Sequence, residues 1–308
     1  MTIDMSVAII LTIMTAATPL LIAALGELVV ERSGVLNLGV EGMMVMGAIA
    51  GFAGAQATGN ALAGVGIAIV VGAMFSLLFA ILTLSLATNQ VATGLSLTLL
   101  GLGASGMIGE NFIGRPGIKL QPIELPMLSD IPVLGPILFR QDPIFYLSIL
   151  LLFGVSWFLF HTKAGLKLRA IGNNAQSAHA LGIRVIAIRY LAVMFGGACA
   201  GLAGAHLSLV YTPQWTENMT AGRGWIALAL VVFASWRPGR VLIGAYLFGA
   251  VTIAQFHAQA FGISVPSQLL SALPYLATVL VLVLISANRR MTMQNTPAAL
   301  GKPFVPDR

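Results

Sequence analysis

The sequence predicts an all-α, polytopic transmembrane helix bundle of about nine spans, and three observations predict it. Of the 308 residues, 58% are hydrophobic and 8% charged, with a mean hydropathy of +0.94; soluble domains carry roughly 25% charged residues. The apolar residues form long runs parted by short polar connections. A spanning helix takes about 20 apolar residues, so eight to ten spans fill the chain, which reads as one unit, residues 1–308, with no room for a sizeable soluble domain.

The elements follow in order. A first span runs from about Met5 to Leu25, with no basic residue before it, and reads as retained rather than as a cleaved leader. The cluster Glu27, Glu31, Arg32, Asn37 and Glu41 follows, and a broken or re-entrant helix near 27–41 is one way to house it. Spans two to four cover about Val35–Ala57, Leu62–Leu86 and Val91–Ile108, with Ala87–Gln90 as a short connection. Residues 109–143 contain six prolines, which oppose long helices and suggest a folded-back external loop. Ile144–Phe160 is a fifth span, the basic loop 161–189 follows, and Tyr190–Tyr211 is a sixth. Trp225–Trp236 is a short seventh, Val241–Phe256 an eighth, and Leu269–Ala287 a ninth, before the tail 288–308.

Charge gives a direction. The loop 161–189, the turn Arg237–Arg240, the tail and Arg32 hold twelve of the sixteen Lys and Arg residues. The positive-inside rule makes that side cytoplasmic, with the N-terminus outside and the C-terminus inside. The net charge of +6 is spread in this way and forms no basic run with interleaved aromatics, so no nucleic-acid partner is expected; lipid is. Cys199 has no second cysteine, and His161, His179, His206 and His257 show no ligand spacing, so neither a metal nor any other cofactor is expected. Gly101, Gly103 and Gly106 match a nucleotide-binding pattern but sit inside a span without its strand context. No phosphate-binding loop motif for ATP occurs. Gly47 with Gly51, Gly197 with Gly201, and Ala200 with Gly204 have the four-residue spacing that lets helices approach closely in lipid.

Two stretches carry the functional expectations. Ionisable groups at membrane depth face a bundle interior or a substrate path. Asn37 and Glu41 lie one turn apart on one face, and with Asn89 and Gln90 they are candidates to line such a path. Glu41 has an alternative role as a structural partner of Arg32 or of a helix N-terminus, and Asn89 and Gln90 as helix caps. Glu27, Glu31 and Arg32 are placed at an interface between the first two spans, and Trp215 and Trp225 in an interfacial belt. In the basic loop, Asn173 or Asn174 can cap a short helix whose Ala175, Ala178 and Leu181 share a face and which Gly182 closes. That face needs a docking partner or the chain's own helix ends.

The blocks GELVVERSGVLNLGVEGMMVMGA, AIGNNAQSAHALGI, GGACAGLAGAH and ENMTAGRGWIALALVVFASWRPGR together resemble the permease subunits of bacterial ABC importers of the simple-sugar and nucleoside type, within the wider ribose and branched-chain amino acid permease family. The resemblance implies a multi-pass permease of the bacterial inner membrane, paired with a second, homologous permease, with cytoplasmic ATP-binding subunits and with an external binding protein or lipoprotein. It implies transport of a nucleoside or simple sugar by alternating access, with ATP hydrolysed by the partner and no catalytic residue in this chain. Gly172–Gly182, with Asn173, Asn174, Ala175, Ala178, Leu181, Gly182 and the following Arg184, would then be the loop that couples to the ATPase. The Glu-Ala-Ala start of many such loops is replaced here by Asn174-Ala175-Gln176. An ion- or proton-coupled secondary transporter is the alternative, since it too places carboxylates in broken helices.

Overall fold

In the computed structural model, the residues described are 3–260, except 125, 127 and 130, together with 295–305 and the single positions 272, 273, 276, 279 and 283. Ten α-helices follow one another among them: α1 Ile3–Arg32, α2 Val40–Thr58, α3 Ala61–Ala80, α4 Gln90–Gly109, α5 Pro143–His161, α6 Lys163–Asn173, α7 Ala175–Ala180, α8 Val185–His206, α9 Arg223–Phe233 and α10 Pro238–Ala260. Five-residue π-helical turns extend α3 through Ser85 and α8 through Tyr211. Among the described residues, seven helices are long and apolar enough to cross a membrane: α1 to α5, α8 and α10. The chain is a multi-pass membrane protein. The expected ninth span, Leu269–Ala287, lies almost wholly outside the described residues.

Three of these helices meet at glycine. A Cβ on Gly201 of α8 would press on the Gly72 Cα of α3 at 3.1 Å, and one on Gly51 of α2 would sit 3.3 Å from the Ala68 Cβ of α3. Without a side chain at such points the α2, α3 and α8 backbones come into contact, which supplies dispersion where lipid offers no hydrophobic drive. Met44, Ala48, Phe79 and Ala203 fill the space around them and are fully buried.

The seventh predicted span differs. α9 has 11 residues, about 16 Å of helix against roughly 30 Å of hydrocarbon. The chain before it, residues 212–222, is not helical. It lies along α2, where Trp215 packs on Val45, Ile49 and Phe52 and is 2% exposed. Trp215 and Thr220 are buried, whereas Gln214, Thr216, Glu217, Asn218 and Ala221 are exposed, so two side chains anchor this non-helical segment on the bundle without enclosing it. Trp215 is therefore not an interfacial residue, whereas Trp225 is 45% exposed.

α1 is also longer than the sequence suggests. It continues unbroken through Glu27 and Glu31 to Arg32, and the interruption falls at 33–39, before α2. Glu27, Glu31 and Arg32 are 0%, 1% and 8% exposed; they are buried in the bundle, and each finds a partner there.

Residues 109–143 hold two-residue strands, β1 Ile123–Glu124 and β2 Arg140–Gln141, paired antiparallel, with an Arg140–Glu124 ion pair of 2.7 Å across them. Asp142 caps α5 by accepting from the Ile144 and Phe145 N–H groups. Burial opposes ionisation of Asp142, but His206 at 3.7 Å and the two backbone donors outweigh it and hold its carboxyl below the ordinary value.

Candidate functional site

A chain of polar contacts, uncommon in an apolar bundle, ties α1, α2, α4 and α9 together. From Arg32 the segment 33–39 doubles back along α1, and the Asn37 Nδ2 donates to Glu27 Oε1 at 2.9 Å. Glu27 is five residues, about 7.5 Å, back up the helix from Arg32. Asn37 Oδ1 accepts from Gly39 N–H at 3.0 Å, so the side chain both anchors the returning segment and turns it into α2. On the other flank, Gln90 Oε1 accepts from Leu36 N–H at 2.8 Å and Thr98 Oγ1 donates to Leu38 O at 3.1 Å. Asn89 Oδ1 accepts from Ala92 N–H and caps α4.

Glu41 lies in the first turn of α2, 2% exposed. Its Oε1 accepts from Thr220 Oγ1 at 2.6 Å and Gly222 N–H at 2.8 Å, and its Oε2 from Gly224 N–H at 2.6 Å. These donors belong to the start of α9. The orphan N–H groups and positive dipole end of a helix favour a carboxylate, and Glu41 supplies one from a neighbouring helix. Ala221 and Gly222 adopt left-handed backbone, at φ 46° and 80°, which bends the chain around the carboxylate. A Cβ on Gly224 would stand 2.7 Å from the Glu41 backbone, so only glycine lets α9 start there. Trp225 Nε1 donates to Leu38 O at 3.3 Å and closes the α9 start onto the 33–39 segment.

The other end of α9 is fixed in the same way. Ser235 and Trp236 are both left-handed, at φ 49° and 54°, an uncommon conformation for a bulky residue. It brings Trp236 Nε1 to Glu31 Oε2 at 2.6 Å and presents Trp236 O to Arg32 Nη2 at 2.8 Å. A discontinuous helix is thus held by two carboxyl groups, Glu41 at its start and Glu31 just beyond its end.

Three of the four predicted path residues, Asn37, Glu41 and Gln90, belong to this chain of contacts, whereas Asn89 only caps α4. Asn37, Glu41 and Gln90 are buried with hydrogen bonds to the chain's own groups, while Asn89 is exposed. Sequence reasoning missed Thr220, Gly222 and Gly224 as partners of Glu41, and Trp236 as partner of Glu31. The run Thr220-Ala221-Gly222-Arg223-Gly224 carried the signal, as a hydroxyl and two glycines ahead of a short apolar segment.

The predicted coupling residues gather at one end of the bundle. α6 was not foreseen as a separate helix; Thr162 caps it through Gly165 N–H. Gly172, near its end, packs on the Arg32 backbone, where a side chain would collide with the Arg32 carbonyl. Asn173 ends α6, and Asn174 Oδ1 accepts from Ser177 N–H at 3.0 Å to start α7. Ala175 and Ala178 are buried with Ile171, Val185 and Phe304. Leu181, expected on their face, is instead 81% exposed, because α7 stops at Ala180 and Gly182 turns left-handed at φ 78°. Arg184 is exposed. Residues 298–304 lie against this assembly, with Ala299 N–H donating to Gly172 O at 2.9 Å and Gly301 N–H to Gly34 O at 3.1 Å.

Among the described residues, no group of three His, Cys, Asp or Glu side chains is placed to hold a metal ion.

The family model described as branched-chain amino acid transport system / permease component matches residues 9–287. TsgC13 of Haloferax volcanii, a candidate glucose ABC transporter permease protein, is 41% identical over 94% of both chains. The guanosine ABC transporter permease protein NupQ of Bacillus subtilis is 33% identical over 94% of this chain and 93% of its own. The nucleoside ABC transporter permease protein NupC of Lactococcus lactis is 31% identical over 90% and 91%. No solved structure matches the chain. With a match across nearly its whole length, this chain belongs to the family of branched-chain amino acid transport system permease components.

Proposed function

We propose that this protein is the membrane-spanning permease subunit of an ATP-driven importer, and that it forms the translocation path for a nucleoside or a simple sugar. The observation that carries this reading is the end-to-end similarity to permeases named for glucose, guanosine and nucleosides. The family implies separate ATP-binding subunits and a substrate-binding protein as partners, and hydrolysis of ATP belongs to those subunits.

Several finer parts of the reading rest on the residues. The excess of Lys and Arg at the α6–α7 end supports a cytoplasmic location for that end, an external 109–143 segment and an N-terminus outside, and similarity to permeases of Bacillus subtilis and Lactococcus lactis supports a bacterial plasma (inner) membrane. About nine crossings follow if the 212–236 stretch counts as one, with a non-helical half and a helical half, and Leu269–Ala287 as the last. The path runs beside the discontinuous α9, where Asn37, Glu41, Asn89 and Gln90 shape its wall, between this chain and a second, homologous permease. Exposed Leu181, Gly182 and Arg184, beside the α7 turn, form the surface that meets the ATPase. An apolar cleft of about 600 Å³ between α1, α5, α6 and α8, with Lys167 at its rim, fits the acyl chains of membrane lipid.

Co-purification with the ATP-binding subunits tests the reading. The complex should hydrolyse ATP, and the loaded binding protein should stimulate that hydrolysis. A chain that purifies without any ATPase and transports on an ion gradient alone would contradict it. Thermal-shift screening of the binding protein against nucleosides and sugars identifies the cargo, and a preference for hydrophobic amino acids would overturn that assignment.

A further inference from the structure

Where α6, α7 and α8 meet residues 298–304, a recess of about 280 Å³ opens between Asn173, Asn174, Gln176, Arg189, Lys302 and Phe304. Its deepest polar group is Arg189, 1% exposed. Arg189 Nε donates to Ser33 O at 3.1 Å, and the Phe304 ring covers the guanidinium at 6.0 Å. Its Nη1 and Nη2 are buried and have no hydrogen-bond acceptor among the described residues. A guanidinium is a donor through all its N–H groups and a fixed charge, and burying it unpaired is costly.

The rest of the described lining supplies donors and no counter-charge. Among the described residues, none around the recess is Asp or Glu. Lys302 adds an ammonium, and the Asn174 carbonyl oxygen is already used by Ser177 N–H, which leaves its amide NH₂ for a ligand. A forked guanidinium with its two outer nitrogens free matches two oxygens of one anion.

We propose that this recess binds a phosphate-type oxyanion, carried by a soluble phosphate or by a lipid headgroup, with Arg189 as the bidentate anchor and Lys302 as the second charge. The ligand joins α8 to the 298–304 segment, which already pairs with Gly172 and Gly34. Its occupancy would therefore set how firmly that segment holds the α6–α7 loop. This site does not depend on the transported cargo.

The test uses the full-length chain in phosphate-free neutral detergent, with inorganic phosphate titrated by calorimetry. A parallel arm measures retention of phosphatidylglycerol against phosphatidylcholine by native mass spectrometry. Saturable phosphate binding, weakened about tenfold by Lys302→Ala as expected for loss of one charged hydrogen bond and abolished by Arg189→Gln, supports a soluble source. Selective retention of the anionic lipid, lost in the same variants, supports a headgroup source. Lys302 is exposed, so Lys302→Ala keeps the test valid if Arg189→Gln does not fold. If wild-type protein takes up neither ligand, or if Lys302→Ala binds both as tightly as wild type, the proposal is overturned.

Discussion

Replacing Glu41 with alanine should destabilise the protein more than most single substitutions. Glu41 accepts three short hydrogen bonds, from Thr220 Oγ1, Gly222 N–H and Gly224 N–H, at 2.6 to 2.8 Å, and is 2% exposed. The truncated side chain leaves those donors buried without an acceptor, at about 1–3 kcal/mol each. Groups in one network do not add fully, which places the total at about 3–6 kcal/mol. For a chain of this size that corresponds to a fall in Tm of roughly 5–9 °C. Glu41→Gln keeps one acceptor oxygen but turns an NH₂ toward one of the donors, and should lose about half as much. The assay is thermal denaturation of purified protein in detergent, followed by size-exclusion chromatography. Thr220→Val, alone and with Glu41→Ala, completes a double-mutant cycle whose coupling energy should be about 1 kcal/mol or more. A Tm for Glu41→Ala within about 1 °C of wild type would refute the claim that this carboxylate holds α9.

Other outcomes follow from the same structure. Trp236→Phe removes the donor to Glu31 Oε2 and leaves a buried carboxyl oxygen unpaired, so it should cost about 1–3 kcal/mol, read in the same thermal assay. Gly201→Leu drives a side chain into the α3 backbone at Ala68 and Gly72; it should abolish monodisperse protein in detergent, while Gly103→Ala, which meets no atom within 4 Å, should be neutral. Asp142, with its carboxyl held below the ordinary 3.8, contributes stability that is complete above that value and lost as pH falls through the lower folded value. Wild type should therefore exceed Asp142→Asn in Tm at pH 7, and the gap should close on acidification below about pH 4. Arg184→Glu should leave Tm unchanged, because Arg184 is exposed, yet uncouple ATP hydrolysis from uptake in the assembled transporter; unchanged coupling would count against a docking role.

Much of the fold was legible because lipid leaves few options. Long apolar runs become helices, and small residues four apart became the α2, α3 and α8 contact. Residues that broke the pattern were read less well. Glu27, Glu31 and Arg32 looked like the edge of a span, since sequence alone cannot show a partner ten or two hundred residues away. Asn37, Trp236 and the Asn295 carbonyl provide those partners, and α1 continues through all three residues. The seventh span looked short and was short, but its N-terminal half is non-helical chain resting on α2, a tertiary arrangement that no periodicity encodes. For Glu41 the sequence left two roles open, and the geometry places its oxygens on a helix N-terminus. The α7 turn was legible from Asn174 and Gly182, each acting locally. The exposure of Leu181 was not, because it depends on the helix stopping one residue earlier than the apolar spacing suggests.

The most direct test of the account is uptake into proteoliposomes that contain this chain with the proposed second permease and the ATP-binding subunits, supplied with binding protein and labelled guanosine or glucose. Accumulation should require ATP inside a right-side-in arrangement of the α6–α7 end, and should persist when ion and proton gradients are collapsed. Accumulation driven by an ion gradient without ATP, or ATP hydrolysis that never moves either class of solute, would contradict it.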